Sequence, residues 1–433
     1  MRFDTLPEWL AWQERLHFTE IDPGLDRIAE VWKRMGGSHR LPFTVITVAG
    51  TNGKGSSVAM LSSIMRAAGY NTATYTSPHL LAYNERIVID GQSCSDDEIC
   101  ASFDRIDQAR AEISMTYFEF ATLAAADIFC REQVDVAVLE VGMGGRLDAV
   151  NLFDADIALI TPIALDHVAW LGDTREKIGF EKAGIMRAGR PVVSSEFSPP
   201  DSIINRAAEL AAPLFIAGRD YQYSINETDS SWNWQSSHLQ WQELPKPALT
   251  GRYQVHNAAA VLQVVNQLQQ SGLDKLDRHA VEQGLQQVQL NGRFQMFPGP
   301  VTTIFDVTHN QQGAENLQAL LKEIPCAGKT HAVVAMLRDK DASAVFASLK
   351  DVIDHWYLGS LEGDRGLSGE ALATQLLPQV DAERVSIFDA VSNAYVAALS
   401  AANTNDRILV FGSFHTVEAI MLFEQQQIRN KVS

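Results

Sequence analysis

A strand that runs into glycines, with a helix starting at once behind them, restricts this chain more than any other stretch. Residues 45–57 read VITVAGTNGKGSS. Val45 to Val48 are β-branched throughout, the pattern of a buried strand. Gly50, Gly53 and Gly55 surround Lys54, Ser56 and Ser57 follow, and VAMLSSIMRAAG then reads as a helix. Strand, glycine loop with lysine, and helix together hold the phosphates of a nucleotide. The glycines turn backbone N–H groups inward, and the helix N-terminus adds partial positive charge. Lys54 reaches the outer phosphates, and the Ser56 hydroxyl sits within reach of a metal ion. The spacing differs from the usual P-loop, with Asn52 and Thr51 alone between Gly50 and Gly53, and Gly55 between Lys54 and Ser56. A plain glycine turn is the simpler alternative; the flanking strand and helix, the lysine and the serines favour phosphate binding.

The chain has 433 residues, too many for one ordinary core, so two domains are expected. Its formal net charge of −18 argues against a nucleic-acid partner and against an anionic membrane. An anionic substrate must then be met by local cations, a bound metal or backbone N–H groups. Cys94, Cys100, Cys130 and Cys326 are scattered with no CxxC pair, which suits reduced thiols. The N-terminal MRFDTLPEWLAWQERL has no apolar signal core, and no segment is long and apolar enough to span a bilayer. The expected location is cytoplasmic.

Read in order, residues 4–36 suggest two short helices, with Trp9, Trp12 and Leu16 on one packing face. Ser95-Asp96-Asp97-Glu98 is a capping box for the helix beyond it, and TYFEFATLAAADIFCRE reads as a buried helix. VDVAVLEVGMGGRLDAVN and DIALITPIALDHVAWLG are further strands that run into polar loops. Strands alternating with helices imply a parallel sheet covered on both faces, whose ligands collect at the carboxyl ends of the strands. The three polar loops therefore should meet. Residues 219–245, rich in Ser and aromatics, read as an antiparallel appendage. An Asn-Gly turn and Pro-Gly-Pro mark 290–300 as a linker. Beyond it TTIFDV, THAVVAML, HWYLGS, RVSIF and RILVFGS alternate with amphipathic helices. The expected fold class is α/β: a P-loop ATPase-type parallel-sheet domain over 1–289, then a smaller Rossmann-like α/β domain over 301–433.

Several residues at these strand ends carry chemistry. Glu140 closes the apolar run VAVLEVG, where a carboxylate is costly unless paired. Mg2+ beside nucleotide phosphates would pair it; a structural salt bridge to Arg146 is the alternative. Asp166 and His167 follow the third strand, although Mg2+ prefers oxygen to imidazole. Lys177 and Glu181 have the i,i+4 spacing of a surface pair, leaving Lys182 as the lysine to explain. In the second domain, Asp306, His309 and Asn310 follow one strand and Ser413 and His415 another. Arg293 in the linker is a cation suited to clamping phosphate as two domains close.

AGTNGKGS (49–56), TSPHL (76–80), LEVGMGGRLDAVN (139–151), DHVAWLG (166–172), EKAGI (181–185), HNAAA (256–260), DVTHN (306–310) and GSFHTV (412–417) occur in that order. Together they resemble the folylpolyglutamate synthase family of the Mur ligase superfamily, and within it the bifunctional dihydrofolate synthase/folylpolyglutamate synthases. The resemblance implies ATP-dependent amide formation: a substrate carboxylate takes the γ-phosphate, and the amine of L-glutamate displaces phosphate from the acyl carbon. It implies dihydropteroate, tetrahydrofolate, L-glutamate and ATP as the small molecules bound, Mg2+ as a pair of ions, K+ as a further ion, and a monomer. By the same resemblance Gly53, Lys54, Gly55 and Ser56 hold ATP phosphates, with Asn257, Arg293 and Asp306 as further ATP contacts. Ser77, Glu140 and His167 are the implied metal ligands, and Lys182 the lysine that becomes carbamylated. His309 and Ser413 fall on the glutamate side. Asp22, Pro23, Gly24, Thr116, Tyr117, Phe118, Glu119, Leu147, Asp148 and Ala149 fall on the pteroate or folate side. Lys54, Lys182, His167, Asp306 and His309 carry the implied catalysis. The TSPHL and GGRLDA motifs argue against a cell-wall amino-acid ligase. A monofunctional folylpolyglutamate synthase and a nucleotide-binding protein without ligase activity remain the alternatives.

Overall fold

A computed structural model describes residues 1–227, 230–324 and 326–432. The chain forms two compact units. The first comprises Met1–His79, Tyr83–Ala248 and Arg252–Gln289; the second comprises Leu80–Ala82, Leu249–Gly251 and the chain from Leu290 onward. Among the described residues no helix is long and apolar enough to cross a membrane.

The first unit is built on eight strands: β1 (Thr44–Ala49), β2 (Thr72–Tyr75), β3 (Ile87–Ile89), β4 (Gln92–Ser93), β5 (Val136–Glu140), β6 (Ile157–Ile160), β7 (Val192–Ser194) and β8 (Leu214–Ile216). Their order across the sheet is β4-β3-β2-β5-β1-β6-β7-β8. β1 lies between β5 and β6, parallel to both. Every residue of β5 and β6, and all of β1 but Thr44, is buried, which is why these strands read as unbroken β-branched and apolar runs. The register pairs Val48 with Glu140 and Ala49 with Ile160, so three carboxyl ends line up side by side. The expected meeting of the three polar loops follows from this adjacency.

The helices of this unit are α1 (Leu6–Gln13), α2 (Asp26–Arg34), α3 (Lys54–Ala67), α4 (Asp96–Arg110), α5 (Tyr117–Arg131), α6 (Val168–Leu171), α7 (Arg175–Ala183), α8 (Asp201–Glu209), α9 (Arg252–Gln270) and α10 (Arg278–Gln287). α4 starts on the capping box expected at Ser95 and Glu98. α5 starts on a second one: the Glu119 N–H donates to Thr116 Oγ1 at 3.2 Å, and Thr116 N–H to Glu119 Oε2 at 2.7 Å. Trp9 is fully buried and meets Trp12 and Phe103, in keeping with a packing role. The appendage is a three-stranded antiparallel sheet of β9 (Tyr221–Ile225), β10 (Ser231–Ser236) and β11 (Gln240–Pro245). Residues 228 and 229, which fall in that stretch, lie outside the described residues.

The second unit holds β12 (Gln295–Phe297), β13 (Thr302–Asp306), β14 (Thr330–Val334), β15 (His355–Leu358), β16 (Val385–Ile387) and β17 (Arg407–Phe411), in the order β12-β13-β17-β14-β15-β16. Its helices are α11 (Gln311–Glu323), α12 (Ala342–Leu349), α13 (Gly369–Leu376), α14 (Val391–Ala401) and α15 (Phe414–Val432). All five strand-like runs read from the sequence form strands here. The stretch 290–300 contributes β12, which pairs antiparallel with β13.

α3, the helix behind the glycine loop, is held from outside by α10. A Cβ on Gly284 would lie 2.5 Å from the Ile64 Cα, and Ser63 Oγ donates to the Gly284 carbonyl at 2.8 Å. The clash falls on backbone and cannot be relieved by a side-chain rotation. Gly284→Ala is therefore expected to lower the free energy of unfolding by about 1–3 kcal/mol in a urea titration. A loss below about 0.5 kcal/mol would mean that the two helices are not in this close contact.

Candidate active site

The glycine loop takes a backbone that side chains oppose. Gly53, the residue capping α3, has φ +88°, and a Cβ at Gly50 would overlap Thr161 Oγ1. Thr51 ties this loop to the segment after β6. Its N–H donates to the Pro162 carbonyl at 2.9 Å, its Oγ1 donates to the Ala164 carbonyl at 3.1 Å and accepts from Ala164 N–H at 3.1 Å. That segment leads to Asp166 and His167. His167 has φ +50°, a left-handed conformation costing a non-glycine residue about 1–2 kcal/mol. The Asp166 carboxylate holds it by accepting the His167 N–H at 2.8 Å. Such strain persists where the surroundings over-determine it, commonly at functional sites.

Two ammonium groups converge on one carbonyl at this loop. Lys54 Nζ donates to the Gly50 carbonyl at 3.1 Å and to that of Thr51 at 3.2 Å. Lys182 Nζ donates to the same Gly50 carbonyl at 2.9 Å. Lys182 is 3% exposed; burial, reinforced by the Lys54 charge, brings its pKa down to about 7. The pair expected between Lys177 and Glu181 does not form. Lys177 binds Asp173 at 2.8 Å, and Glu181 binds Arg146 at 2.9 Å. Arg146, the arginine in the glycine-rich segment after β5, is thereby paired with α7. Glu140 is buried at the end of β5 and accepts the Ser77 N–H at 3.4 Å.

Among the described residues, no three His, Cys, Asp or Glu side chains cluster as a ready cage for an ion. Mg2+ bound with nucleotide phosphates needs only one or two carboxylates, its other positions being filled by phosphate and water. A buried Glu140 with Ser77 beside it, one strand from the glycine loop, fits that requirement.

A cavity of about 370 Å3 opens in the same unit. Its wall includes Asp22, Pro23 and Gly24, the start of α5 at Thr116, Tyr117, Phe118 and Glu119, and Leu147, Asp148 and Ala149, together with Ser77. Segments distant in sequence thus line one space. Arg27 ties two of them, donating to the Asp22 carboxylate at 2.5 Å and to Glu119 Oε1 at 3.2 Å. Burial pushes the Asp148 carboxyl up to about 6, against the lowering effect of Met143 N–H at 2.8 Å and Val150 N–H at 3.0 Å.

In the second unit, Asp306 ends β13 opposite Phe411 of β17 and accepts N–H bonds from Phe294 and Thr308, each at 2.8 Å. His309 Nδ1 lies 2.8 Å from the Val307 carbonyl. Ser413 Oγ accepts the Thr416 N–H at 3.0 Å, and the Arg293 guanidinium lies over the Phe414 ring at 5.1 Å. Arg293, Asp306 and Ser413 all belong to the carboxyl edge of β13 and β17 or to residues stacked beside it.

Two families match the chain: the Mur ligase middle domain over residues 48–265 and the Mur ligase glutamate ligase domain over 292–414. The dihydrofolate synthase/folylpolyglutamate synthase of Escherichia coli K12 is 44% identical over 96% of this chain and 94% of its own length. That of Haemophilus influenzae is 41% identical over 95% and 96%. The chain belongs to the dihydrofolate synthase/folylpolyglutamate synthase family of Mur ligases. Solved structures agree: E. coli FolC in complex with DHPP and ADP superposes with a TM-score of 0.91 at 42% identity, covering 98% of both chains. A bifunctional folylpolyglutamate synthase/dihydrofolate synthase with Mn, AMPPNP and L-glutamate bound gives 0.88 at 43% identity, again over 98% of both chains.

For this Mur ligase, sequence reasoning missed part of the cavity wall, notably Arg86 and Trp170. The Arg86 guanidinium is buried, donates to His79 Nδ1 at 2.8 Å and lies 5.5 Å from the Tyr83 and Tyr117 rings. A lone arginine opening a hairpin strand carries no signal in sequence. Trp170 stands within the motif DHVAWLG but was not distinguished from its neighbours.

The Lys182 environment has a consequence for stability. An unfolded lysine titrates near about 10.4, so folding expels a proton between that pH and 7. The penalty is absent above the unfolded value, grows as pH falls, and levels off below the folded value of about 7. In CO2-free buffer, Lys182→Met is expected to raise unfolding stability more at pH 6.5 than at pH 10.5. Equal effects at the two pH values would contradict a depressed pKa.

Proposed function

We propose that this protein joins L-glutamate to dihydropteroate, giving dihydrofolate, and to tetrahydrofolate, giving folylpolyglutamates, with ATP converted to ADP and phosphate. The observation that carries this reading is Ser77. It lines the cavity with the pteroate-side residues, and its N–H meets Glu140 one strand away from the glycine loop. In this reading an acid held in that cavity presents its carboxylate toward Ser77 and the glycine loop. The relatives support the same substrates: one E. coli structure holds DHPP and ADP, and a second bifunctional synthase holds AMPPNP, Mn and L-glutamate.

In the proposed reaction, a carboxylate oxygen of the pteroyl acid attacks the γ-phosphorus as the bond to the β-phosphate oxygen breaks and ADP leaves. The amine of glutamate then attacks the acyl carbon and gives up a proton, the acyl C–O bond to phosphate breaks, and inorganic phosphate leaves. The first step brings anions together, so its cost is electrostatic. Gly53, Gly55 and Ser56 offer loop N–H groups, and Lys54 exchanges its backbone carbonyls for phosphate oxygens. Asn257 contacts ATP from α9. Ser77, Glu140 and His167 hold Mg2+, as a pair of ions; bound there, it supplies Lewis-acid neutralisation of phosphate charge. K+ is a further ion of the proposal. Asp22 to Gly24, Thr116 to Glu119, and Leu147 to Ala149 hold the pteroyl group. Within the second unit, Arg293 and Asp306 contact ATP, and His309 and Ser413 serve glutamate. The domain over 1–289 thus handles ATP and pteroyl acid, that over 301–433 handles glutamate, and the protein acts as a cytoplasmic monomer.

Incubation with ATP, Mg2+, dihydropteroate and labelled glutamate tests the reading. Label is expected on dihydropteroate and, in a parallel reaction, on tetrahydrofolate. Transfer to tetrahydrofolate alone would establish the monofunctional alternative, and no transfer to either would remove the ligase.

Lys182 is proposed to carry a carbamate, which turns a buried cation into an anion able to ligate metal. Its neutral amine attacks CO2, forming an N–C bond and releasing a proton. A pKa of about 7 makes that neutral amine abundant near neutral pH. With 13C-labelled CO2, a single carbamate resonance, absent in Lys182→Met, is expected to grow between pH 6 and 8. An intensity independent of the Lys182 substitution would assign the modification elsewhere.

A further inference from the structure

We infer that Gln254 is a positioning residue for ATP, acting through Ser56 and Asn257 to fix the chemistry of the glycine loop. The inference rests on the proposal that this loop holds ATP. Gln254 is the third residue of α9 and is fully buried. Its Nε2 donates to Ser56 Oγ at 3.2 Å, and its Oε1 accepts from Asn257 Nδ2 at 3.0 Å. Ser56 and Asn257 are 2% and 3% exposed, so the chain of amides and hydroxyl is shielded from water along its length. The far end of Asn257 faces the loop: a Cβ on Gly53 would stand 2.7 Å from Asn257 Oδ1.

Packing does not call for an amide here. The neighbours on α9, Val255, Ala258 and Ala259, are buried and apolar. A primary amide left among them without partners would cost several times what a satisfied one does. Hydrogen-bond direction explains what it does. A serine hydroxyl has one proton and two acceptor positions. With one position taken by the Gln254 N–H, the proton and the second position of Ser56 are left for the loop, one suited to a phosphate oxygen and the other to a cation. The same amide takes a donor hydrogen of Asn257, which turns Asn257 Oδ1 toward Gly53. Gln254 thereby sets the polarity of two groups proposed to contact ATP while touching no substrate itself.

Titration calorimetry with a non-hydrolysable ATP analogue and Mg2+ tests this, with pteroyl-acid binding measured in parallel on the same proteins. Gln254→Met is expected to weaken the analogue by about fivefold to tenfold, the worth of one neutral hydrogen bond, with pteroyl-acid affinity unchanged. In a Ser56→Ala background the same change is expected to cost much less, because its effect runs through the Ser56 hydroxyl. Gln254→Glu keeps the size and the acceptor for Asn257 but donates to Ser56 only when protonated. Its affinity for the analogue, taken as a ratio to the wild type at the same pH, is expected to recover as pH falls from 8.5 to 6; this variant also carries the test if the methionine protein does not fold. Wild-type affinity in both variants at pH 8.5, or an undiminished penalty in the Ser56→Ala background, would overturn the inference. No binding by the wild-type protein would overturn the ATP reading itself.

Discussion

Lys54 and Lys182 share one carbonyl oxygen, that of Gly50, and most of the first unit's chemistry follows from that crowding. Two like charges this close oppose each other, and either a bound anion or the loss of one proton relieves that repulsion. The fold supplies both routes. Lys54 sits at the start of α3, where loop N–H groups and the helix dipole attract phosphate. Lys182 sits in the last turn of α7, buried deeply enough to release its proton near neutral pH. Its position is fixed by close backbone packing: the Arg146 N–H donates to the Glu181 carbonyl at 2.8 Å, and a Cβ on Gly145 would stand 2.6 Å from that carbonyl. The glycine-rich segment after β5 is thus what lets α7 approach the phosphate loop.

The sheet order explains why that approach is useful. A strand placed between two parallel neighbours brings three loops to one end. β1 delivers the cations, β5 delivers Glu140, and the segment after β6 delivers Asp166 and His167. Thr51 bonds the first of these loops to the third through its backbone N–H and its hydroxyl. Movement in the phosphate loop is therefore felt by His167, whose left-handed backbone leaves it little freedom to absorb a shift without strain.

Much of this was legible in the chain because strand ends and caps are local. Val45–Val48, VAVLE and IALI are buried runs whose polar followers mark the site directly, and Ser95 with Glu98 declares the start of α4 three residues apart. The restarted alternation beyond residue 300 likewise follows from period and turn chemistry. What stayed hidden depends on contacts between distant segments. The i,i+4 spacing of Lys177 and Glu181 is a weak preference of about 0.2–0.5 kcal/mol. It loses to Asp173 on one side and to Arg146, thirty-odd residues earlier, on the other. Arg86 was invisible for the same reason: its partners His79, Tyr83 and Tyr117 come together only once β3 and α5 are in place. Short segments at 80–82 and 249–251 belong to the second unit, an assignment that no composition or periodicity announces.

The pairing of Arg146 with Glu181 decides more than a surface contact. It joins the glycine-rich segment after β5 to α7, the helix that carries Lys182. With Arg146 paired to α7, Glu140 stays buried beside Ser77, at the strand end nearest the phosphate loop. A buried carboxylate offsets its desolvation cost through hydrogen bonds, an ion pair or a bound cation, and the Ser77 N–H supplies one such bond. The salt bridge that sequence reasoning offered to Glu140 is thus used instead to brace the helix carrying Lys182. The glycine-rich loop after β5 thus holds the lysine-bearing helix in position.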